Sequence, residues 1–324
     1  MRIKSIDLAK GILILLVIAG HMLLGGPTTF PHYIIYSFHM PLFTALSGWL
    51  VNWEMLGGLS VGGLGKKYRD RVIIPWVLAL IVYGLANNPG FLSHPSQFIP
   101  TIPSGIIRPF LHLWFIPAYL SWILISWLLL KFGLTISKIF IISLFLSGFC
   151  AYLRYEPALV NGALSDTLLT TCRPDYYIFF VLGGFLRNYK KMPPIGLTLP
   201  LSMLFFIGEV LLFYYPNPSL SIVLFFVANG SLICLVLSLA ESRKSLASPF
   251  LEWVGLNSLG IYLWHVLPIL IAFRYVSYGP ALFYSLAIGL EIVFFVFVYF
   301  TAKIAFFRKY FYGLPALGGQ QKSI

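Results

Sequence analysis

The stretch SIDLAKGILILLVIAGHML, residues 5–23, decides the class of fold. Between Lys10 and His21 it contains no charged side chain, and it follows a basic N-terminus. A run of this length and polarity is typical of a helix that crosses a bilayer. Similar apolar runs recur along the whole chain, so the sequence predicts an all-α, polytopic membrane protein.

The overall composition supports this class. Of the 324 residues, 59% are hydrophobic and only 10% are charged, against roughly 45–50% and about 25% in soluble domains. About ten spans of some 20 residues each would use most of this length, so no room is left for a large soluble catalytic domain. The net charge of +12 is treated first as a topology signal, and we expect no nucleic-acid partner.

Apolar runs bounded by Pro, Gly and charges predict about ten transmembrane helices within one domain covering residues 1–324. Two of the runs are shorter than a full span, which predicts helices that extend into flanking residues, tilt or break. The runs are residues 10–26, 33–51, 72–87, 112–130, 139–153, 175–187, 195–214, 220–240, 257–273 and 280–303, and the short ones are 139–153 and 175–187.

The lysines and arginines are predicted to lie mostly on one side of the membrane. With the N-terminus inside, all but four of the 22 lysines and arginines fall on the cytoplasmic side, and the exceptions are Arg108, Arg154, Arg173 and Arg274. Cytoplasmic loops carry such an excess of Lys and Arg. The distribution therefore predicts an even number of spans with both termini in the cytoplasm.

Three polar residues of the first run lie near one face of its helix. Lys10 and His21 are eleven residues apart, which places them on the same face about 16 Å apart along the axis. Asp7 lies on nearly the same stripe. Ionisable groups within spans are functional candidates. The alternative is that Lys10 and Asp7 extend to the headgroups while His21 hydrogen-bonds a neighbouring helix.

The second run contains FHMPLFTALSGW, residues 38–49. His39, Phe43 and Ser47 form one stripe at intervals of four residues. His21 and His39 lie at about equal depth, so two imidazoles could face one cavity. The alternative is structural, with the proline kinking the helix and the polar side chains completing hydrogen bonds.

A glycine-rich segment, residues 57–65, leads into a basic run at residues 66–71. We expect the glycine segment to be flexible. The cations of the basic run help to set the orientation of the chain in the membrane in any case, and they could also bind a multiply phosphorylated ligand from the cytoplasm. The segment matches neither the P-loop nor the dinucleotide fingerprint. The cations are Lys66, Lys67, Arg69 and Arg71.

Further polar residues lie in later runs. Ser258, Tyr262 and His265 form a stripe at i, i+4 and i+7, and we interpret the carboxyl groups of Glu209 and Glu291 as neutral or hydrogen-bonded packing groups.

The remaining histidines and cysteines give weaker signals. His112 opens the fourth helix at its outer end, and His32 and His94 are expected in solvated outer loops. No His, Asp or Glu pair has the spacing of a metalloenzyme, so we expect no metal. Cys150 and Cys172 both lie toward the outer side, which leaves a disulfide open.

Five of these motifs occur in an order that resembles the acyltransferase 3 family of integral membrane O-acyltransferases, particularly fucose 4-O-acetylase-like members. They are DLAKG at residues 7–11 with His21, FHMPLF at 38–43 with Ser47 and Gly48, RVIIP at 71–75, HLWFIPA at 112–118 and SLGIYLWH at 258–265. The family's first-helix histidine corresponds to His21, and its arginine-rich loop corresponds loosely to Arg69 and Arg71. Many members have arginine in place of Lys10, and lysine does not reproduce a bidentate contact.

The resemblance implies an enzyme of the bacterial cytoplasmic (inner) membrane. It would move an acyl group, usually acetyl, from cytoplasmic acyl-CoA to a hydroxyl of an envelope glycan or lipid-linked sugar on the far side. His21 would act as general base or be acylated itself, with Lys10 and Asp7 on the track below it and His39 and Ser47 orienting the base or stabilising the oxyanion.

Other residues take supporting roles in this interpretation. Lys66, Lys67, Arg69 and Arg71 would hold the coenzyme phosphates. Trp114, Ser258, Tyr262 and His265 would line the substrate channel. Two other classes remain open from the residues themselves, a transporter or flippase of a lipid-linked sugar and a non-catalytic scaffold.

Overall fold

A chain in lipid can satisfy its backbone hydrogen bonds within one segment only by forming a helix. The computed structural model, which describes residues 3–87, 105, 107–155, 167–189, 192–242 and 248–315, has a helix at each of the ten predicted runs. The α-helices in chain order are α1 Lys4–Met22, α2 Phe30–Leu50, α3 Trp53–Gly58, α4 Val61–Tyr68, α5 Ile74–Asn87, α6 Phe115–Lys131, α7 Ile136–Tyr155, α8 Tyr177–Tyr189, α9 Ile195–Tyr214, α10 Pro218–Glu241, α11 Pro249–Leu256, α12 Ser258–Trp264, α13 Val266–Phe273, α14 Pro280–Thr301 and α15 Ala305–Tyr310.

Six of the described helices are long and apolar enough to cross a membrane, namely α1, α6, α7, α9, α10 and α14. A seventh span is obtained if α11 and the α12–α13 segment, separated by a break at Asn257, count as one. The run at 139–153 extends at both ends into the 20-residue α7, whereas α5 and α8 have only 14 and 13 residues. Length and composition therefore give six or seven spans rather than the predicted ten.

The chain divides into two compact units. The first comprises residues 1–58 and 119–256, and the second comprises residues 59–118 and 257–324. In the first unit, α2 and α8 approach each other backbone to backbone. A Cβ atom at Gly48 would lie 1.8 Å from the Phe180 carbonyl oxygen, and one at Gly183 would lie 1.9 Å from that of Ala45. Small residues permit such close helix packing in membranes.

Similar close backbone contacts at glycine join α1 to α11. A Cβ atom at Gly11 would lie 2.1 Å from the carbonyl oxygen of Leu251, and one at Gly255 would lie 1.8 Å from that of Asp7. The second contact places α11 directly beside the N-terminal turns of α1. The environment of Lys10 and Asp7 is therefore set by this helix pair.

Two arginines of the first unit have structural partners. Arg187 of α8 donates to the carbonyl oxygen of Trp49 at 2.7 Å and so satisfies the C-terminal end of α2. Arg173 forms an ion pair with the buried carboxylate of Asp175 at 2.7 Å, and Arg154 lies 3.7 Å from the same carboxylate. Arg154 and Arg173, which were predicted on the outer side, thus both pair with a carboxylate of the protein.

In the second unit, a π-helical turn at Arg69–Ile73 joins α4 to α5. The C-terminal segment packs onto this turn, since a Cβ atom at Gly313 would lie 2.0 Å from the carbonyl oxygen of Arg71. Gly313 has a φ of +61°, a conformation that glycine adopts without strain. The hydroxyls of Tyr312 and Thr301 are 2.6 Å apart and tie the same segment to α14.

Two local predictions were wrong. The glycine-rich segment is not a flexible loop, because its residues lie mainly in α3 and α4, and Ser60 caps α4 by accepting from the Gly63 amide at 3.1 Å. His32 is not in a loop but in the first turn of α2. His94 lies outside the described residues. Cys150 and Cys172 are both free thiols.

The α2–α8 contact can be tested with Gly183→Ala. The added methyl group must push the helices apart, and overpacking of this kind costs about 1–3 kcal/mol. We expect a lower thermal unfolding temperature for the purified protein in detergent. Gly148→Ala in α7 is the matched control because a Cβ atom there meets nothing within 4 Å. Equal unfolding temperatures for both variants would contradict the packing described.

Candidate functional site

Three imidazoles surround the ring of Tyr36 in the first unit. His32 stacks on this ring with centroids 3.9 Å apart and an angle of 11° between the planes. His39 contacts it edge-on at 4.8 Å, and His21 of α1 does so at 6.4 Å. We refer to His21, His32, Tyr36 and His39 as the Tyr36 cluster. His21 and His39 thus both contact the ring of one tyrosine.

Helix geometry explains this arrangement. His32, Tyr36 and His39 are spaced i, i+4 and i+7 along α2 and therefore share one face. The neighbouring α1 contributes His21 in its last turn. Gly20 makes room for the tyrosine, since a Cβ atom there would lie 2.8 Å from Tyr36 Cε2. The cluster therefore depends on a glycine directly before His21.

His39 is the most deeply buried member, with an exposed fraction of 2%. Its Nδ1 lies 2.5 Å from the carbonyl oxygen of Ile35. A carbonyl oxygen can only accept, so Nδ1 carries the proton and donates it. In the neutral ring Nε2 is then left with its lone pair, and His39 can act there as a hydrogen-bond acceptor or base.

His21 is half-buried at the end of α1. Its ring contacts the Tyr36 ring, which His32 and His39 also contact. An imidazole is the side chain best suited to exchange a proton near neutral pH. The cluster therefore brings together a partly accessible imidazole and a buried second one.

Lys10 and Asp7 lie toward the other end of α1. The Lys10 ammonium is 3.8 Å from a carboxylate oxygen of Asp7, and the two side chains are 18% and 11% exposed. Both belong to the same continuous helix as His21. The eleven-residue interval still corresponds to about 16 Å, so neither residue takes part in the Tyr36 cluster itself.

Ser47 is not brought close to His39. The two residues are eight positions apart on α2, which corresponds to about 12 Å along the axis. The Ser47 hydroxyl donates to the carbonyl oxygen of Phe43 at 2.9 Å. The two side chains therefore do not meet at one reacting atom within this structure.

The predicted coenzyme-binding cations lie together in the second unit. Lys66 and Lys67 end α4, and Arg69 and Arg71 follow in the π-helical turn. All but Lys67 are exposed. Partial burial, together with the neighbouring Arg71 cation, lowers the pKa of Lys67. We refer to Lys66, Lys67, Arg69 and Arg71 as the basic cluster.

Asp70 and α15 modify this cluster. The Asp70 carboxylate accepts from Arg69 Nε at 2.7 Å, and this hydrogen bond lowers the pKa of Asp70. Lys309 of α15 also interacts electrostatically with Asp70. Because the carboxylate offsets only one charge, the region remains strongly cationic and suited to phosphate groups.

A second aromatic and imidazole group lies in the second unit. The Tyr262 hydroxyl donates to the carbonyl oxygen of His112, and the rings of His112 and His265 are 4.9 Å apart. His265 Nδ1 donates to the carbonyl oxygen of Tyr262 at 2.8 Å, and the His265 side chain is fully buried. Tyr83 joins through an edge contact with His112 at 5.3 Å.

Two predicted channel residues lie at the edge of this group. The Trp114 ring contacts Phe115 at 6.0 Å, and Phe115 in turn contacts Tyr262 at 5.8 Å. Ser258 is buried at the start of α12. The structure thus joins Tyr262 and His265 directly, and Phe115 links Trp114 to Tyr262.

The two intramembrane carboxyl groups differ. Glu209 accepts from the Tyr33 hydroxyl at 3.1 Å, which agrees with the prediction of a hydrogen-bonded group. Glu291 is 5% exposed, and neither of its oxygens has a hydrogen-bond partner within the described part of the chain.

Sequence reasoning missed Tyr36, His32 and Lys309 as members of their clusters. The spacing of Tyr36 could have indicated its place in the cluster, because it lies four residues after one histidine and three before another. No sequence pattern could have placed Lys309 beside the basic cluster, since it is more than 230 residues from the basic run. Across the described ranges, no group of three or more His, Cys, Asp or Glu residues is placed to hold a metal ion.

Comparison with known proteins identifies the family. Residues 3–307 match the acyltransferase 3 family model, which is described as an acyltransferase domain. Nodulation protein NolL of Mesorhizobium japonicum is 32% identical over 130 residues, a match that covers 37% of this chain and 34% of that protein. The chain thus aligns with about a third of this relative's length. No solved structure matches. This chain, an integral membrane protein, belongs to the acyltransferase 3 family.

Proposed function

We propose that this chain is an O-acetyltransferase that moves an acetyl group from acetyl-CoA to a hydroxyl of a glycan or lipid-linked sugar. Membership of an acyltransferase family supports the class of reaction. The Tyr36 cluster is the observation that carries the residue assignment, because it provides a half-buried imidazole beside a buried one. The resemblance to fucose 4-O-acetylases supports a sugar acceptor.

In the proposed step, a His21 ring nitrogen takes the proton of the acceptor hydroxyl. The acceptor oxygen then bonds to the acetyl carbonyl carbon, the carbon–sulfur bond breaks, and coenzyme A leaves as a thiolate that takes up a proton. A positioned general base contributes about 10²–10⁴ in rate. In the two-step alternative His21 carries the acetyl group first, which would give ping-pong kinetics.

The other members of the cluster would position His21. The Nε2 lone pair of His39 can accept a hydrogen bond, and the stacked rings of His32 and Tyr36 limit the movement of the neighbouring side chains. Lys10 and Asp7 would line the path of the acyl donor along α1. Ser47 would contact the donor further along α2 rather than the reacting atoms.

The basic cluster would hold the phosphates of coenzyme A. The exposed Arg71 on a π-helical turn offers a bidentate donor. Arg69, which also bonds to Asp70, adds charge together with Lys66 and Lys67. π-helical turns occur frequently at functional sites. Trp114, Ser258, Tyr262 and His265 would line the substrate channel.

We further propose ten spans in a single domain, with both termini in the cytoplasm of a bacterium and the protein in its cytoplasmic membrane. The distribution of cations supports this orientation. The short helices α5 and α8 would cross with help from flanking residues or be surrounded by protein.

His21→Ala tests the assignment of the base. We expect acetyl transfer from labelled acetyl-CoA to acceptor in membranes to fall by about 10²–10⁴. Met22→Ala, the adjacent half-buried residue of α1, is the control and should retain activity. Wild-type rates for His21→Ala would remove the proposed mechanism. Movement of a lipid-linked sugar without release of coenzyme A would instead indicate a flippase.

The basic cluster can be tested by measuring KM for acetyl-CoA. Arg69→Ala and Arg71→Ala should each raise this KM by about twofold to fivefold with little change in kcat, because exposed charge contacts contribute about 1 kcal/mol or less each. Lys131→Ala, an exposed cation at the end of α6, should behave as wild type. An unchanged KM in the arginine variants would place the donor phosphates elsewhere.

A further inference from the structure

A cavity of about 320 Å³ lies within the first unit between α2, α9 and α10. Most of its wall is apolar. None of the Tyr36 cluster lines it. Its volume falls at the lower end of the range of about 300–1,000 Å³ found for small-molecule sites.

Asn229 lines this cavity and has an unused hydrogen-bond acceptor. The residue is 2% exposed, and its Nδ2 donates to the carbonyl oxygens of Ser37 at 2.9 Å and Phe225 at 2.7 Å. Two carbonyl partners fix the side-chain amide, because only the NH₂ group can donate to them. Its Oδ1 is buried and has no hydrogen-bond partner.

Glu209 presents a second such atom. It is 6% exposed, and its Oε2 accepts from the Tyr33 hydroxyl. Its Oε1 is buried without a hydrogen-bond partner. A buried polar group left in this way is costly, most of all where no water is present. Two residues that line one cavity thus each hold such an atom, which indicates a ligand that completes their hydrogen bonds.

The chemistry of these two atoms restricts the ligand. Asn229 Oδ1 can only accept, so the ligand must donate. A hydroxyl group fits both atoms, because it can donate to Asn229 and can either donate to or accept from Glu209, whichever protonation state the carboxyl group has. An ionised phosphate or carboxylate has no proton to donate and would add a negative charge beside Glu209.

The remaining wall fits a hydrocarbon chain. Leu199, Met203 and Phe206 of α9 line the cavity and are 41%, 59% and 40% exposed. In a membrane protein these exposed apolar side chains face lipid, so the cavity is open to a molecule that arrives from the bilayer.

The position of the cavity relates it to the Tyr36 cluster. The Tyr33 hydroxyl bonds to Glu209 of α9 and the Ser37 carbonyl oxygen accepts from Asn229 of α10, whereas Tyr36 contacts His21, His32 and His39. Ser37 is thus adjacent in sequence to Tyr36 and two residues from His39. A lipid bound in the cavity would have its head held beside α2.

We propose that this cavity binds the acyl acceptor, an uncharged lipid with an alkyl or isoprenoid chain and a hydroxyl-bearing head. The identification as acceptor rests on the proposed function, whereas the binding site itself does not. The chain occupies the apolar wall, and head hydroxyls bond to Asn229 Oδ1 and Glu209 Oε1.

Photolabelling of the purified protein in phosphatidylcholine nanodiscs tests this site. The probe is an alkyl glucoside with a diazirine in its chain, and the comparison probe is a diazirine fatty acid of the same chain length. We expect saturable labelling of peptides from residues 195–241 by the glucoside and at least fivefold less specific labelling by the fatty acid. Equal labelling by the two probes would overturn the proposal.

Variants test whether the labelled site is this cavity. Ala228→Phe fills the cavity and should reduce glucoside labelling at least fivefold, whereas Val227→Phe is the matched control on the exposed side of α10 and should label as wild type. If Ala228→Phe does not fold, Leu232→Trp narrows the same cavity. Asn229→Leu and Glu209→Leu should each weaken glucoside labelling about threefold to tenfold. Wild-type labelling of the folded cavity-filling variant would overturn the site.

The two proposals can fail separately. Labelling needs neither acetyl-CoA nor turnover, so His21→Ala should label as wild type. Specific labelling without any acetyl transfer would contradict the proposed function alone. Acetyl transfer that persists in Ala228→Phe at the wild-type KM for acceptor would contradict the acceptor assignment alone.

Discussion

Backbone-to-backbone contact at glycine is the constraint on which the first unit depends. Helix association in a bilayer gains little from the hydrophobic effect, because lipid is as apolar as the helix surface. It must instead come from close packing and from hydrogen bonds. Gly48 and Gly183 provide such packing between α2 and α8, and Gly11 and Gly255 provide it between α1 and α11. The two helices that carry His21 and His39 are thereby each held by a glycine contact.

Much of the helical pattern follows from the sequence, because apolar runs in lipid have few alternatives to a helix. The number of spans follows less well. α2 carries polar residues through much of its N-terminal half, and α5 and α8 are too short to cross by themselves. Hydropathy depends only on the residues of a segment. Whether a short or partly polar helix can cross the membrane depends also on the helices packed around it.

The candidate site also follows from the sequence only in part. The spacing of Lys10 and His21 and the stripe on α2 follow from helical periodicity, so the structure retains them. Tyr36 was missed because tyrosine is common in apolar helices, and its role depends on Gly20 of another helix. The glycine-rich segment was expected to be flexible because glycine is a poor helix former. The Ser60 cap shows that local hydrogen bonds can outweigh this preference.

The hydrogen bonds of α2 suggest why its polar residues are so dense. Ser47, Ser37 and His39 each donate to a backbone carbonyl three or four residues earlier, so these groups cost little in lipid. The same bond on His39 fixes which ring nitrogen carries the proton and leaves the other to accept. Tyr33 bonds to Glu209, and the Ser37 carbonyl holds Asn229. One helix thus orients an imidazole on one side and a pair of buried acceptors on the other. The arrangement would suit a protein that must bring a hydroxyl group from the bilayer to a base.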